Sequence, residues 1–244
     1  MTPAPTPQPR IAALDLARTL AVMGMVVFHF TFDLQMFGHI APGTIQLPFW
    51  YYFARLVAGS FLFLAGVSLW LAHGRGIRWP AFWRRLLMVA GGAALVSIAS
   101  IWVTPGGFIW FGILHAIAIA SLIGLVFLRL PALVTLAAAT LAFTLPWIAT
   151  DARFDSLWLI WLGLAETRPF MADYVPLLPW LAPFLAGIAL GRIGSKSGLW
   201  ARLTRATGPT FRTLTFPGRH SLVIYLLHQP LLVGGFFAYA WISR

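Results

Sequence analysis

Residues 15–33 read DLARTLAVMGMVVFHFTFD, an apolar run whose four ionisable side chains fall on one line. At about 100° per residue, with Asp15 taken as zero, Arg18 falls at about −60°, His29 at about −40° and Asp33 returns to about 0°. Val22 and Val26 lie between them on the same face. An ionisable side chain in hydrocarbon costs several kcal/mol unless it meets protein or a water-filled cavity, so the stripe marks an interior, polar face of a membrane helix. Plainer roles stay open: Asp15 and Arg18 as a pair at the helix start, where an acid is favourable, and His29 as a hydrogen-bonded core histidine.

The rest of the chain agrees with a membrane setting. It is 60% hydrophobic and 9% charged, with mean hydropathy +0.84, whereas about a quarter of a soluble domain is charged. Its 244 residues read as a single membrane domain, 1–244, with a Pro/Thr-rich, disordered tail over residues 1–10. The tail lacks an apolar core and no small-residue cleavage site follows, so no removable signal peptide is expected. There is no cysteine, which excludes disulfides, thiolate metal sites and cysteine nucleophiles.

A span needs about 20 apolar residues, and seven runs qualify: 12–36, 47–72, 85–103, 108–128, 131–149, 174–192 and 220–241. Alternate loops collect the cations. Arg75, Arg78, Arg84 and Arg85, then Arg129, then Arg192, Lys196, Arg202, Arg205, Arg212 and Arg219 fall on one side, and Arg153, Arg168 and Arg244 on the other. By the positive-inside rule the chain is an all-α, polytopic transmembrane helix bundle of about seven spans, N-in and C-out. This distribution also accounts for the net charge of +11 as topology, so nucleic acid is not an expected partner. Residues 193–219 read as a basic cytoplasmic loop with a short amphipathic helix near Leu199–Arg205. Such a loop lies near anionic headgroups or binds an anionic ligand. SLWLIWLGL, within 155–169, is too short to span and reads as lying along the outer interface. Gly91-Gly92, and Gly187 with Gly191, read as helix contacts.

Several polar groups share one depth. Asp33 lies at i+4 from His29, a spacing that lets a carboxylate orient an imidazole and raise its basicity as a general base. Arg55 enters from the outside to a comparable depth, with Asp33 its nearest acid in sequence. His115 lies about a third of the way into the fourth run, and His228-Gln229 sit mid-way along the seventh, before a helix-interrupting Pro230. Their coincidence points to a shared polar cavity. Asp173 and Tyr174, heading the sixth run, suit hydrogen bonding and stacking on a sugar as well as a proline-led helix start. No HxxxH or HExxH spacing presents two ligands from one helix, so no metal is expected.

Taken in order, RIAALDLARTLAVMGMVVFHFTFDLQMFG, FLFLAGVSLWLA, FIWFGILHAIAIASL, DYVPLLPWLAPFLAGIALGR and GRHSLVIYLLHQPLL resemble the bacterial membrane proteins grouped with the catalytic domain of heparan-α-glucosaminide N-acetyltransferase, over about residues 10–235. Where that family usually has Arg-Gly, this chain has Arg18-Thr19, which questions tight helix packing there. The resemblance implies transfer of an acetyl group from cytoplasmic acetyl-CoA to an amino sugar or glycan outside the bacterial inner membrane, N- or O-linked. Catalysis is assigned to His29 with Asp33, or to His39 in the first outer loop. The acetyl-CoA site is expected at Arg18, Arg84, Arg85, Arg219, His220, His228 and Gln229, and the acceptor at Arg55, His115, Asp173 and Tyr174, along one wet path through the bundle. Membrane lipid is the other partner, and a homodimer stays open. The competing reading is a small transporter or proton-coupled channel using the same buried His/Asp/Arg set.

Overall fold

The computed structural model describes residues 11–103, 106–167, 170–204 and 209–243. The tail at 1–10, together with Arg168, Arg205 and Arg244, lies outside them. The described residues form ten α-helices and short 3-10 turns: α1 Ala12–Met36, α2 Pro48–His73, α3 Trp79–Val103, α4 Ile113–Phe127, α5 Ala132–Thr144, α6 Leu177–Lys196, α7 Leu199–Leu203, α8 Pro209–Leu214, α9 Phe216–Arg219 and α10 Ser221–Ile242. Five of them, α1, α2, α3, α6 and α10, are long and apolar enough to cross a bilayer, and α4 and α5 are shorter apolar helices.

The seven apolar helices alternate in direction. Arg18 reaches Ser68 while Phe28 meets Trp50, so α1 and α2 are antiparallel. Gly66 faces Phe184 and Gly191 faces Trp70, so α2 and α6 run together. Thr19 meets Gly218, His29 meets His228 and Phe37 stacks on Phe236, so α10 returns parallel to α1. The basic ends therefore converge: Arg192 of α6 donates to the Leu128 carbonyl at the end of α4.

The core is the α2/α4/α6 contact, built around Leu62, Leu69, Phe184, Leu185 and Ile188. Glycine makes it close. A Cβ at Gly66 would stand 2.0 Å from the Phe184 carbonyl oxygen, and one at Gly187 would stand 2.1 Å from that of Phe63. Gly187 and Gly191 thus pack helices as expected, whereas of the other pair only Gly92 meets neighbours, Leu114, Leu222 and Leu226.

Several boundaries depart from the hydropathy runs. The third run starts early, at Trp79, so Arg84 and Arg85, expected in a loop, lie within α3. The fourth run begins as extended chain, because the Ser97 hydroxyl donates to the Ile109 carbonyl and the Ile109 amide donates to Ser100. Helix α4 then starts at Ile113, whose amide donates to the Asp173 carboxylate, an anion at a helix N-terminus. The sixth run becomes helical only at Leu177 and continues to Lys196, so the expected loop at 193–219 begins late. Its described part is folded into α7, α8 and α9. The 3-10 turns at Ala152–Phe154 and Ile160–Leu162 make SLWLIWLGL part of a folded outer loop with Ile160 buried and Trp158 exposed. Asp155 closes that loop, accepting from the Glu166 and Thr167 amides and the Thr167 hydroxyl.

Candidate functional site

A chamber of about 1680 Å³ occupies the end of the bundle away from the basic loops, the outer end by the expected topology, and is walled by α1, α2, α3, α5, α6 and α10 with Ile113 of α4. Of the residues expected to form a polar cavity, His29, Arg55, Asp173, Tyr174, His228 and Gln229 line it. The two histidines come from parallel helices and meet edge to face, their ring centroids 4.8 Å apart.

His228 is the better defined of the pair. Its Nδ1 lies 2.6 Å from the Tyr225 carbonyl oxygen, one turn earlier on α10. A carbonyl only accepts, so Nδ1 carries the hydrogen and the neutral ring keeps its lone pair on Nε2. That nitrogen is buried and has no hydrogen-bond partner among the described residues. An oriented imidazole with one committed nitrogen and one available one is the arrangement general base chemistry requires.

Asp33 does not orient His29, and it does not pair with Arg55. It is fully buried and its Oδ1 accepts from Gln229 Nε2 at 2.7 Å, leaving Oδ2 and Gln229 Oε1 unpartnered. The carboxylate faces α10, which packs alongside α1, and the carboxamide there satisfies it first. Arg55 lies with its guanidinium 3.3 Å over the Tyr51 ring and donates to the Tyr51 carbonyl.

On the outer side the Asp173 carboxylate caps α4 through Ile113 and accepts from the Tyr225 hydroxyl at 3.2 Å. Burial raises this carboxyl above its ordinary value, against the opposing pull of those two hydrogen bonds. Tyr225 thus touches both Asp173 through its hydroxyl and His228 through its carbonyl. Sequence reasoning passed over it, although its position at i−3 from His228 placed it on the same helix face. Tyr174 donates to the Ile160 carbonyl, tying the outer loop to the chamber wall. His115 is absent from that wall: its Nδ1 accepts from the Gly112 amide at the start of α4, and its Nε2 lies 3.4 Å from the Ser97 hydroxyl. His39 is exposed at the outer rim, stacked on Phe236 and edge-on to Tyr239.

The inner polar cluster is separate from the chamber. Asp15, 7% exposed, accepts from Arg18 at 2.5 Å and lies 3.7 Å from Arg219 Nε. Arg18 also donates to Ser68, and Arg219 to Thr215. Arg85 of α3 lines a small pocket with Leu69, Phe82 and Ser121, Arg84 is exposed, and His220 folds back over Phe216 with ring centroids 4.2 Å apart. The Thr19 hydroxyl donates to the Leu214 carbonyl and accepts from the Gly218 amide. Tight packing therefore exists at Arg18-Thr19, with the glycine on the opposite element: a Cβ at Gly218 would stand 1.9 Å from the Asp15 carbonyl oxygen. None of Arg18, Arg84, Arg85, Arg219 and His220 lines the chamber. Val22, 1% exposed, is buried in α1 between the two regions, and Met25, 4% exposed, is part of the chamber wall, so the expected single wet path is not continuous along this face of α1.

Among the described residues no group of three or more His, Cys, Asp or Glu side chains is placed to hold a metal ion. Comparison with curated proteins and with solved structures gave no match. Comparison with protein families matched residues 10–230 to the one described as heparan-alpha-glucosaminide N-acetyltransferase, catalytic. That range takes in every polar residue of the chamber and of the inner cluster. The chain accordingly belongs to the heparan-alpha-glucosaminide N-acetyltransferase catalytic-domain family of membrane acetyltransferases.

Proposed function

We propose that the protein transfers an acetyl group from cytoplasmic acetyl-CoA to an amine or hydroxyl of a sugar on the outer face of a bacterial inner membrane, with His228 and His29 as the working groups. The observation that carries this reading is the imidazole pair on the chamber wall, with His228 Nε2 buried and unpartnered. His29 is preferred over His39 because it lines the chamber beside His228, whereas His39 lies outside at the rim.

The basic end of the bundle faces the cytoplasm by the positive-inside rule, which places α7–α9 and the Asp15/Arg18/Arg219 cluster inside and the chamber mouth outside. Phosphates of acetyl-CoA are met by Arg18, Arg85 and Arg219. Arg18 precedes His29 by eleven residues, about 16 Å of helix rise, and the pantetheine arm bridges this distance once Val22 gives way. At the chamber the acceptor nitrogen or oxygen attacks the thioester carbonyl. The bond from acceptor to carbonyl carbon forms, the carbon–sulfur bond breaks, the acceptor proton passes to His228 Nε2 and then to the departing thiolate. Asp33 and Gln229 hold α1 against α10, and so hold the two imidazoles together.

Sidedness and chemistry are tested together in proteoliposomes with labelled acetyl-CoA on the basic side and glucosamine on the other. The reading expects labelled N-acetylglucosamine only across from the donor. Product confined to the donor side contradicts the sidedness, and ion flux without CoA binding contradicts the enzyme. A labelled protein formed without acceptor identifies acetyl-histidine as an intermediate.

A further inference from the structure

Ligand pockets usually enclose about 300–1,000 Å³; this chamber, at about 1680 Å³, exceeds what a free monosaccharide fills. Its imidazoles and Gln229 lie on the α1 and α10 wall, Arg55 lines it on α2 and Asp173 with Tyr174 at the head of α6, while most of the other residues lining the α2, α3 and α5 sides, such as Val57, Phe61, Leu95, Leu136 and Phe143, are apolar. Parts of its wall on α2 and α3 are exposed. Leu56 of α2 is 69% exposed and Leu95 of α3 is 55% exposed although both line it. Leu56 lies about 12 Å of helix rise from the start of α2, a depth at which the surroundings of a membrane protein are acyl chains.

The polar wall specifies what end of a ligand it takes. The Gln229 amide donates to Asp33, because the opposite orientation would set two acceptors against each other, and its Oε1 is left buried without a partner. His228 Nε2 is likewise an unpartnered acceptor. Two buried acceptors call for a ligand that brings N–H or O–H donors, and the adjoining apolar space calls for one that brings hydrocarbon.

We propose that the acceptor is an amphiphile, an amino sugar joined to a lipid. It enters sideways from the bilayer, with its chain along the α2/α5 side of the chamber and its amine against His228 and Gln229. This rests on the acetyltransferase reading above and narrows its substrate class. A glucosaminide with a long aglycone is held in the chamber; glucosamine alone reaches the same histidines but has nothing to fill the apolar space.

The test uses the purified full chain in detergent or nanodiscs with labelled acetyl-CoA and a series of alkyl glucosaminides from methyl to octyl. The expected result is a KM that falls at least about tenfold along the series as apolar surface is buried. The same series is then measured on Thr140→Trp, whose indole occupies the α5 side of the chamber, with Leu136→Trp as a second variant should the first not fold. The proposal expects the dependence on chain length to shrink to below about threefold when the apolar space is filled. Transfer that is equally efficient to all chain lengths overturns the lipid acceptor and leaves the acetyltransferase standing. A fall in KM that is identical in wild type and both tryptophan variants reports micelle partition and overturns it too. Acetylation of phosphatidylethanolamine in preference to octyl glucosaminide overturns the sugar headgroup. No transfer to any amine overturns this proposal together with the reading beneath it.

Discussion

Replacing Gln229 by leucine removes the hydrogen bond that the Asp33 carboxylate accepts among the described residues. The carboxylate is fully buried, and among the described residues its Oδ2 has no partner and its Oδ1 is satisfied at 2.7 Å by Gln229. A hydrogen bond to a charged group contributes about 1.5–3 kcal/mol, and stripping a buried group of its last partner costs its full desolvation, about 1–3 kcal/mol or more when the group is charged. Gln229→Leu is therefore expected to destabilise the fold by about 2–4 kcal/mol. Asp33→Leu leaves the carboxamide unpartnered and costs less, about 1–3 kcal/mol. The double variant replaces both partners with apolar groups of similar size and recovers most of the loss, since an apolar pair at this depth has nothing to desolvate. Reversible unfolding in mixed micelles, followed by tryptophan fluorescence, gives the four free energies of the cycle. A coupling of about 1.5 kcal/mol or more is expected; strictly additive losses would refute the view that the two side chains form one buried unit joining α1 to α10.

Other consequences follow from the same geometry. Gly218→Ala places a methyl group 1.9 Å from the Asp15 carbonyl oxygen, so α9 is pushed off α1 at a cost of about 1–3 kcal/mol, and thermal stabilisation by CoA falls with it; unchanged CoA stabilisation counts against an inner phosphate site. Gly66→Leu and Gly187→Leu each separate α2 from α6, whose backbones meet at 2.0–2.1 Å from the added carbon, and loss of monodisperse protein in size-exclusion chromatography is expected for both. Hydrogen bonds from Thr167 hold the Asp155 carboxyl below its ordinary value of 3.8. A depressed folded-state value means that the ordering of the outer loop is present above that ordinary value and is lost as pH falls through the lower, folded-state one; limited proteolysis between residues 155 and 167 is expected to accelerate below about pH 4 and to be insensitive to pH in Asp155→Asn.

Much of this architecture is legible in the sequence because bilayer thickness imposes it. Seven apolar runs and the segregation of arginines describe helices that do alternate in direction, and the GxxxG pair does pack α6 on α2. Partner choice is the part that hydropathy does not carry. His29 and Asp33 share a helix face, but whether a carboxylate turns along its own helix or across to a neighbour depends on which neighbour is there, and α10, nearly two hundred residues away, supplies Gln229. Arg55 has a ring at i−4 and lies over it, which pre-empts the longer reach to Asp33. His115 was placed at a fitting depth, yet Gly112 is extended and presents its amide to the imidazole, so the side chain serves the start of its own helix. Charge counting along the chain likewise does not carry pairing: Arg18 of α1 and Arg219 of α9 share Asp15, so a cluster that counts as strongly cationic in sequence is partly neutralised in space.

The claim on which the account turns is that the imidazole pair performs the transfer. Its most direct test is the rate of acetyl transfer from acetyl-CoA to glucosamine in proteoliposomes for His228→Ala and His29→Ala, each verified as folded by its thermal transition. Removal of a general base lowers such a rate by about 10²–10⁴-fold, and that loss is predicted for His228→Ala, with His39→Ala within about threefold of wild type. Wild-type turnover in both His228→Ala and His29→Ala would contradict the account.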